Sequence, residues 1–492
     1  MDPTSGIAFK RELGLFDSTL LVVGSMIGSG IFIVSSDISR SIGSPAWLMA
    51  IWLATGFLTL MAALSYGELA GMMPKAGGQY VYLREAYSPL TGFLYGWTLF
   101  LIIQTGTIAA VAVAFAKYTG VIVPWFAESN IIAHLGPIHI SSSQLLAVIS
   151  VVALTWINSR GVKTGKLVQL VFTITKVAAL ALLILAGIAL GRNHKAIVAN
   201  FGHFFQVPFK TELNAAGLVI RTILTGPSIL IAAGGAMVGS LFSSDAWNNI
   251  TFTAGEVRDP RKNIPLSLFW GTLLVTVLYL LANLSYLMVL PVQGSLAGPT
   301  IISRGIMFAT NQRVATAAMS VVFGLPAAVL MALLIMVSTF GCNNGLIMSG
   351  ARVYYAMAGD GLFFPRAAAL NKQAVPAFAL WIQGIWTSLL CLSGGYGALL
   401  DYVIFAVLLF YVLTVAAVFV LRFKQPLAPR PYKAWGYPVV PALYIVIATA
   451  IAIDLLVIKW ETSRWGALIV ILGIPVYFIS KRFFTRVPSI RS

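Results

Sequence analysis

Three places in this sequence set chemistry-bearing residues inside apolar surroundings. The first is Gly24-Ser25-Met26-Ile27-Gly28-Ser29-Gly30-Ile31-Phe32, and the second runs from Gly234-Gly235 and Gly239-Ser240 through Phe242-Ser243-Ser244-Asp245-Ala246-Trp247-Asn248-Asn249. The third is one charge, Lys176, in Thr173-Ile174-Thr175-Lys176-Val177-Ala178. Glycine loses the most backbone entropy in a helix and serine offers the backbone a competing hydrogen bond, so both runs are poor helix. A break in a helix surrounded by lipid frees N–H groups on one side and C=O groups on the other, and lipid satisfies neither. A zwitterion satisfies both. Its carboxylate takes the N–H groups of Ser29 and Gly30 at a positive half-helix end, and its ammonium takes carbonyls near Met26, Phe242 and Asp245. Such a site reads the α-amino-acid moiety and leaves the side chain to a separate pocket. The alternative is close packing of helices through small residues.

Lys176 has two readings as well. A charge at membrane depth costs at least ~2.5–3.5 kcal/mol and by default is functional and paired within the bundle. Its long stem also allows snorkelling to the interface. A buried lysine is in addition a candidate proton carrier.

The elements that must position these residues are membrane spans. Of 492 residues, 59% are hydrophobic and 10% charged, against about 25% charged in a soluble domain. A bilayer core of ~30 Å needs about 20 apolar residues per helix. Twelve blocks meet that length, at about 14–37, 44–72, 88–118, 143–161, 165–190, 228–254, 264–290, 324–356, 375–394, 399–422, 437–458 and 464–483. They are too long and too evenly apolar for barrel strands. The expectation is one all-α integral membrane domain over 1–492, with no signal peptide. If the N-terminus is cytoplasmic, inside loops hold roughly twice as many Lys and Arg as outside loops, which orients both termini inward. The net charge of +17 is spread over these short loops and forms no basic stripe with aromatics, so nucleic acid is excluded as a partner. Arg430-Pro431-Tyr432-Lys433 and the basic C-terminus read as attraction to anionic lipid.

Other chemistries find no support. Cys342 and Cys391 both lie in apolar stretches, which leaves no disulfide framework and no zinc spacing. His134, His139, His194 and His203 fall in or beside outside loops, so a histidine relay through the bilayer is not expected. Clustered acids and histidines of a membrane enzyme are missing, as are the charge rings of a channel. No metal or cofactor is expected. Corresponding interruptions in the first helix of two five-helix halves point instead to an inverted-repeat transporter. The halves would be about 14–190 and 228–422, followed by two extra helices at about 437–483.

At these residues the chain resembles the amino acid–polyamine–organocation superfamily, and within it bacterial relatives of the L-type amino acid transporters. Besides the first break, the resemblance rests on Pro74-Lys75-Ala76-Gly77-Gly78-Gln79-Tyr80-Val81-Tyr82-Leu83-Arg84-Glu85-Ala86. It rests further on Asp245-Ala246-Trp247-Asn248-Asn249 with Glu256, Pro260, Asn263 and Pro265, and on Ser338-Thr339-Phe340-Gly341 with Asn344-Gly345. It covers nearly the whole chain and implies the leucine-transporter fold, with twelve helices in a 5+5 inverted repeat. It also implies alternating-access transport of amino acids across the cell (inner) membrane, by sodium-independent exchange or by proton symport.

The residue roles it implies are substrate contact by Met26, Ser29, Gly30, Ile31, Phe242, Ser243 and Asp245, and gating by Phe242 and Trp247. Lys176 resembles a family lysine that stands in for the second sodium of related carriers, near hydroxyls such as Ser338 and Thr339. Phe242 and Trp247 also read as ordinary packing, and 74–86 as either a surface helix or a gate-associated one. Asn343 and Asn344 read as packing glue more readily than as substrate contacts. Asp245 departs from several eukaryotic relatives, which have glycine there. It either favours cationic substrates or caps the half-helix that follows. Animal relatives that pair with a glycoprotein use a cysteine between the third and fourth helices. Residues 119–142 hold none, so no disulfide-linked heavy chain is expected.

Overall fold

A computed structural model describes residues 9–135, 138–214, 217–393 and 396–484. The extreme C-terminal basic residues, among them Arg486 and Arg491, and the first eight residues lie outside it. Among the described residues, ten helices are long and apolar enough to cross a membrane, and Pro227–Ser243 and Ala377–Ser393 are shorter apolar helices at the sixth and ninth expected positions. All twelve blocks are thus helical. Among the described residues, loops contribute two short antiparallel hairpins, Ile131–Leu135 with Ile138–Ser141 and Phe209–Leu213 with Val219–Ile223, which the apolar pattern did not announce. A short helix, Val314–Phe323, precedes the eighth span and packs on the seventh.

The first span breaks inside its run of glycines and serines. Helix Leu15–Met26 ends at Ile27 (φ −75°, ψ 92°), and helix resumes at Gly30–Ile33 and Ser35–Ile42. The sixth behaves alike: Pro227–Ser243 ends at Ser244, Ala246 takes a left-handed φ of 64°, and Asn249–Phe252 restarts the helix. A non-glycine residue at positive φ costs energy that surrounding contacts must hold in place.

Small residues let these pieces meet. A Cβ on Gly30 would overlap the Ser243 side chain, so the two breaks touch each other. A Cβ on Gly24 would overlap Gln169 and Thr173 of the fifth span. The third span, Pro89–Ile122, loosens into a π-turn at Leu99–Ile103, a geometry often found at functional sites. The core is the shared interior of spans one, three, six, seven, eight and ten, whose tyrosines 95, 279, 286, 354 and 411 are buried.

Candidate functional site

Lys176, on the fifth span, is fully buried and does not snorkel. Its Nζ donates to Gly24 O at 2.7 Å and Ile27 O at 2.9 Å, two carbonyls that the end of the first half-helix leaves without helical partners. Ser338 Oγ lies on the same group, 3.3 Å from Ile27 O and 3.2 Å from Gly28 O. Thr339 does not join it. Its hydroxyl turns back to Ile335 O and Met336 O in its own helix, so only Ser338 of the expected pair meets the break. Cys342 Sγ, one turn on, lies 3.0 Å from Ser25 O. The fifth and eighth spans together therefore hold the carbonyl end of the broken first helix.

Carbonyls expected to meet an ammonium are partly engaged. Tyr279 of the seventh span donates to Met26 O at 3.1 Å and Ser243 O at 3.0 Å, tying one break to the other through a single phenol. Each carbonyl keeps a second lone pair. Ile31 is fully buried, and its carbonyl accepts from Tyr286 at 3.2 Å. Ser243 Oγ donates to Gly239 O at 2.7 Å, and Phe242 O accepts from Asp245 N at 3.2 Å. Ser29 and Gly30 open the outer piece of the first span, where N–H groups begin a helix.

Asp245 does not cap the short helix after the break; Asn248 occupies that position. Instead Asp245 Oδ1 accepts a 2.5 Å hydrogen bond from Tyr411 of the tenth span. Neither carboxylate oxygen meets a cationic side chain among the described residues. Trp247 is 1% exposed and packs edge-on against Tyr66 at 4.7 Å and beside Tyr411 at 5.3 Å. Sequence reasoning missed Tyr66, Tyr279 and Tyr411. A tyrosine in an apolar block reads as core, and nothing local says which helix it will reach.

The two ends of the bundle differ. At the hairpin end, a cavity of about 900 Å³ is lined by Asp37 and Arg40 of the first span, Lys117 of the third and Gly235 and Gly239 of the sixth. It reaches to within one helical turn of Ser243. The opposite end is sealed. Glu256 and Arg352, each 1% exposed, pair at 2.9 Å, and the Glu256 carbonyl accepts the N–H groups of Glu12 and Leu13.

Helix Gln79–Ala86 is part of the seal and not a surface helix: Gln79, Tyr80, Val81, Tyr82 and Leu83 are buried. Gln79 accepts from Asn248 at 2.9 Å and donates to Thr414 at 3.0 Å, joining the sixth span to the tenth. Tyr80 and Arg84 both reach Asp360 after the eighth span. Burial, with the Asp360 carboxylate facing it, pushes the Tyr80 phenol well above its ordinary value, so it remains a donor. Asn344 bridges Asn158 at 2.9 Å and Gln169 at 3.1 Å, which makes it a helix–helix tie.

Known proteins are similar to this chain over most of its length. The Amino acid permease family matches residues 13–476, a stretch that includes both breaks, Lys176 and the seal. The large neutral amino acids transporter small subunit 2 of Homo sapiens is 31% identical over 484 residues, covering 96% of this chain and 81% of that protein. The b(0,+)-type amino acid transporter 1 of Homo sapiens is 28% identical over 476 residues, covering 96% and 88%. The Asc-type amino acid transporter 1 of Mus musculus is 28% identical over 478 residues, covering 96% and 82%. With a family match that runs through every element of the site, this multi-pass membrane protein belongs to the amino acid permease family.

Proposed function

We propose that the protein exchanges amino acids across the cell (inner) membrane by alternating access, without sodium. The carrying observation is the contact between the two helix breaks, with Lys176 bonded to the carbonyls of the first. A fixed ammonium at those carbonyls supplies the positive charge that a bound cation would otherwise bring, and two cations would crowd one site. The amino acid is held by its backbone groups. Its carboxylate takes the N–H groups of Ser29 and Gly30, and its ammonium takes carbonyl oxygens of Met26, Phe242 and Asp245. Similarity to transporters named for large neutral, b(0,+)-type and Asc-type amino acids supports this substrate class.

Both termini lie inside, as the loop charges direct, and the hairpin end lies outside. In that orientation the structure is open outward through the cavity beside Gly239 and closed inward by Glu256, Arg352 and Gln79. Phe242 closes over the substrate as the outer cavity seals, and Trp247 belongs to the inner gate. Spans one to five and six to ten form the inverted repeat, with the two breaks as corresponding features. One relative is named a small subunit. Residues 119–142 of this chain contain no cysteine and both of its cysteines are buried, so it works without a disulfide-linked heavy chain.

Proton-coupled symport is the second reading. The observation favouring it is Asp245, a buried carboxylate partnered by a phenol and by no cation among the described residues. Vesicles loaded with unlabelled amino acid test both. Exchange predicts strong trans-stimulation of labelled uptake with or without a pH gradient; uptake into empty vesicles driven by an inward proton gradient would replace exchange with symport.

A further inference from the structure

At the sealed end, on the bundle's outer surface, lies a second large cavity of about 910 Å³, remote from the helix breaks. Its floor is apolar, made by Leu60 and Leu64 of the second span and Leu266 and Phe269 of the seventh. Its rim is basic, with Arg261 and Lys262 at the start of the seventh span and Lys433 in the loop after the tenth. All three cations are exposed, none has an ion-pair or hydrogen-bond partner for its side chain among the described residues, and no carboxylate lines the cavity.

The loop wall is built, not draped. Buried Glu68 of the second span accepts from Arg422 at 2.9 and 2.7 Å and from the Ala434 N–H at 2.7 Å, and Arg430 lies 3.2 Å away. Arg422 in turn stacks on Tyr437 at 3.6 Å. These bonds fix Tyr432, Lys433 and Trp435 against the second span, with Trp435 68% exposed beside the groove. From the floor, exposed apolar side chains continue toward mid-membrane: Phe57 and Leu53 on the second span, Trp270 and Leu274 on the seventh.

We propose that this groove binds one anionic phospholipid. The headgroup phosphate lies among Arg261, Lys262 and Lys433, and an acyl chain follows Leu64, Phe269 and Leu60 into the bilayer. Charge complementarity selects this occupant. Three unpaired cations at the membrane surface attract an anionic headgroup, and a neutral, zwitterionic lipid offers them no net charge. The apolar floor distinguishes a lipid from free phosphate, which has nothing to place there. Because the lipid would span the second and seventh helices and the loop after the tenth, it would tie these three elements together at the sealed end. The site stands apart from the transport reading, so either can fail alone.

Native mass spectrometry of the full-length protein, with phosphatidylglycerol or phosphatidylcholine added, tests the proposal. The expected result is at least tenfold tighter binding of phosphatidylglycerol, reduced to within about twofold of phosphatidylcholine in the variant Arg261→Ala/Lys262→Ala/Lys433→Ala. All three positions are exposed, and an unchanged melting temperature confirms that the variant is folded. In phosphatidylcholine vesicles doped with chain-brominated phosphatidylglycerol, a component of tryptophan quenching should disappear in Trp435→Phe and shrink in the triple variant. Equal binding of the two lipids by the wild type, an unchanged preference in the triple variant, or displacement by inorganic phosphate would overturn it.

Discussion

Lys176 is the residue at which a buried charge meets the backbone of the first break. Its ammonium meets two carbonyls at 2.7 and 2.9 Å, and each hydrogen bond to a charged group is worth ~1.5–3 kcal/mol. Lys176→Ala leaves Gly24 O and Ile27 O without that donor. Turnover in vesicles should fall at least tenfold, a larger loss than that of expression, and replacing sodium with choline should leave wild-type uptake unaltered. Uptake that rises steeply with sodium would remove the lysine from its role. The same scale governs the substrate. A ligand read through the backbone of Ser29, Gly30 and Met26 must carry both its charges, so an amino-acid methyl ester or an N-acetyl derivative should lose competition by roughly 10- to 150-fold. Full competition by either compound would contradict the site. Phe242 adds a check, because Phe242→Ala should cut transport before it lowers stability if the ring is a gate, and the reverse order would mark it as packing.

The broken helices are elements defined by what their small residues permit. A Cβ on Gly30 would collide with Ser243 Oγ and Cβ, so Gly30→Ala should pry the two breaks apart and abolish uptake. Ser243→Gly removes those atoms, and the double variant Gly30→Ala/Ser243→Gly should recover a measurable part of transport. No recovery in a folded, membrane-inserted double variant would place the defect elsewhere. Both breaks were legible because glycine, serine and asparagine interrupt an otherwise unbroken apolar text, and Lys176 was legible for the same reason. Tyr279, which joins Met26 O to Ser243 O, was not, since a buried tyrosine is common in any core and its partners lie 253 and 36 residues away along the chain. The role of Gln79 was hidden similarly: the amphipathic pattern of 74–86 fits a surface helix until tertiary packing buries its Gln79–Leu83 side against the sixth and tenth spans. The hairpins escaped because strands of four or five residues leave too short a pattern to register.

For the whole molecule, alternating access requires that one end be open while the other is shut, and this structure has that asymmetry. The open end offers a direct probe. Gly235 lines the cavity and nothing lies within 4 Å of where its Cβ would be, so Gly235→Cys fits without displacing a neighbour. The native thiols, Cys342 and Cys391, are 2% and 0% exposed, which leaves the new cysteine as the reactive one. A charged, membrane-impermeant thiol reagent should label Gly235→Cys from the hairpin side in intact cells and block uptake. A cysteine at Arg366, on the sealed side, should react only after permeabilisation. Saturating amino acid on the sealed side should change the labelling rate at position 235, because exchange carries the molecule through states in which the cavity is closed. The direction tells which state dominates, and a rate indifferent to substrate would mean that the cavity beside Gly239 is not on the transport path. Labelling of both positions from the same side would reverse or break the topology read from the loop charges.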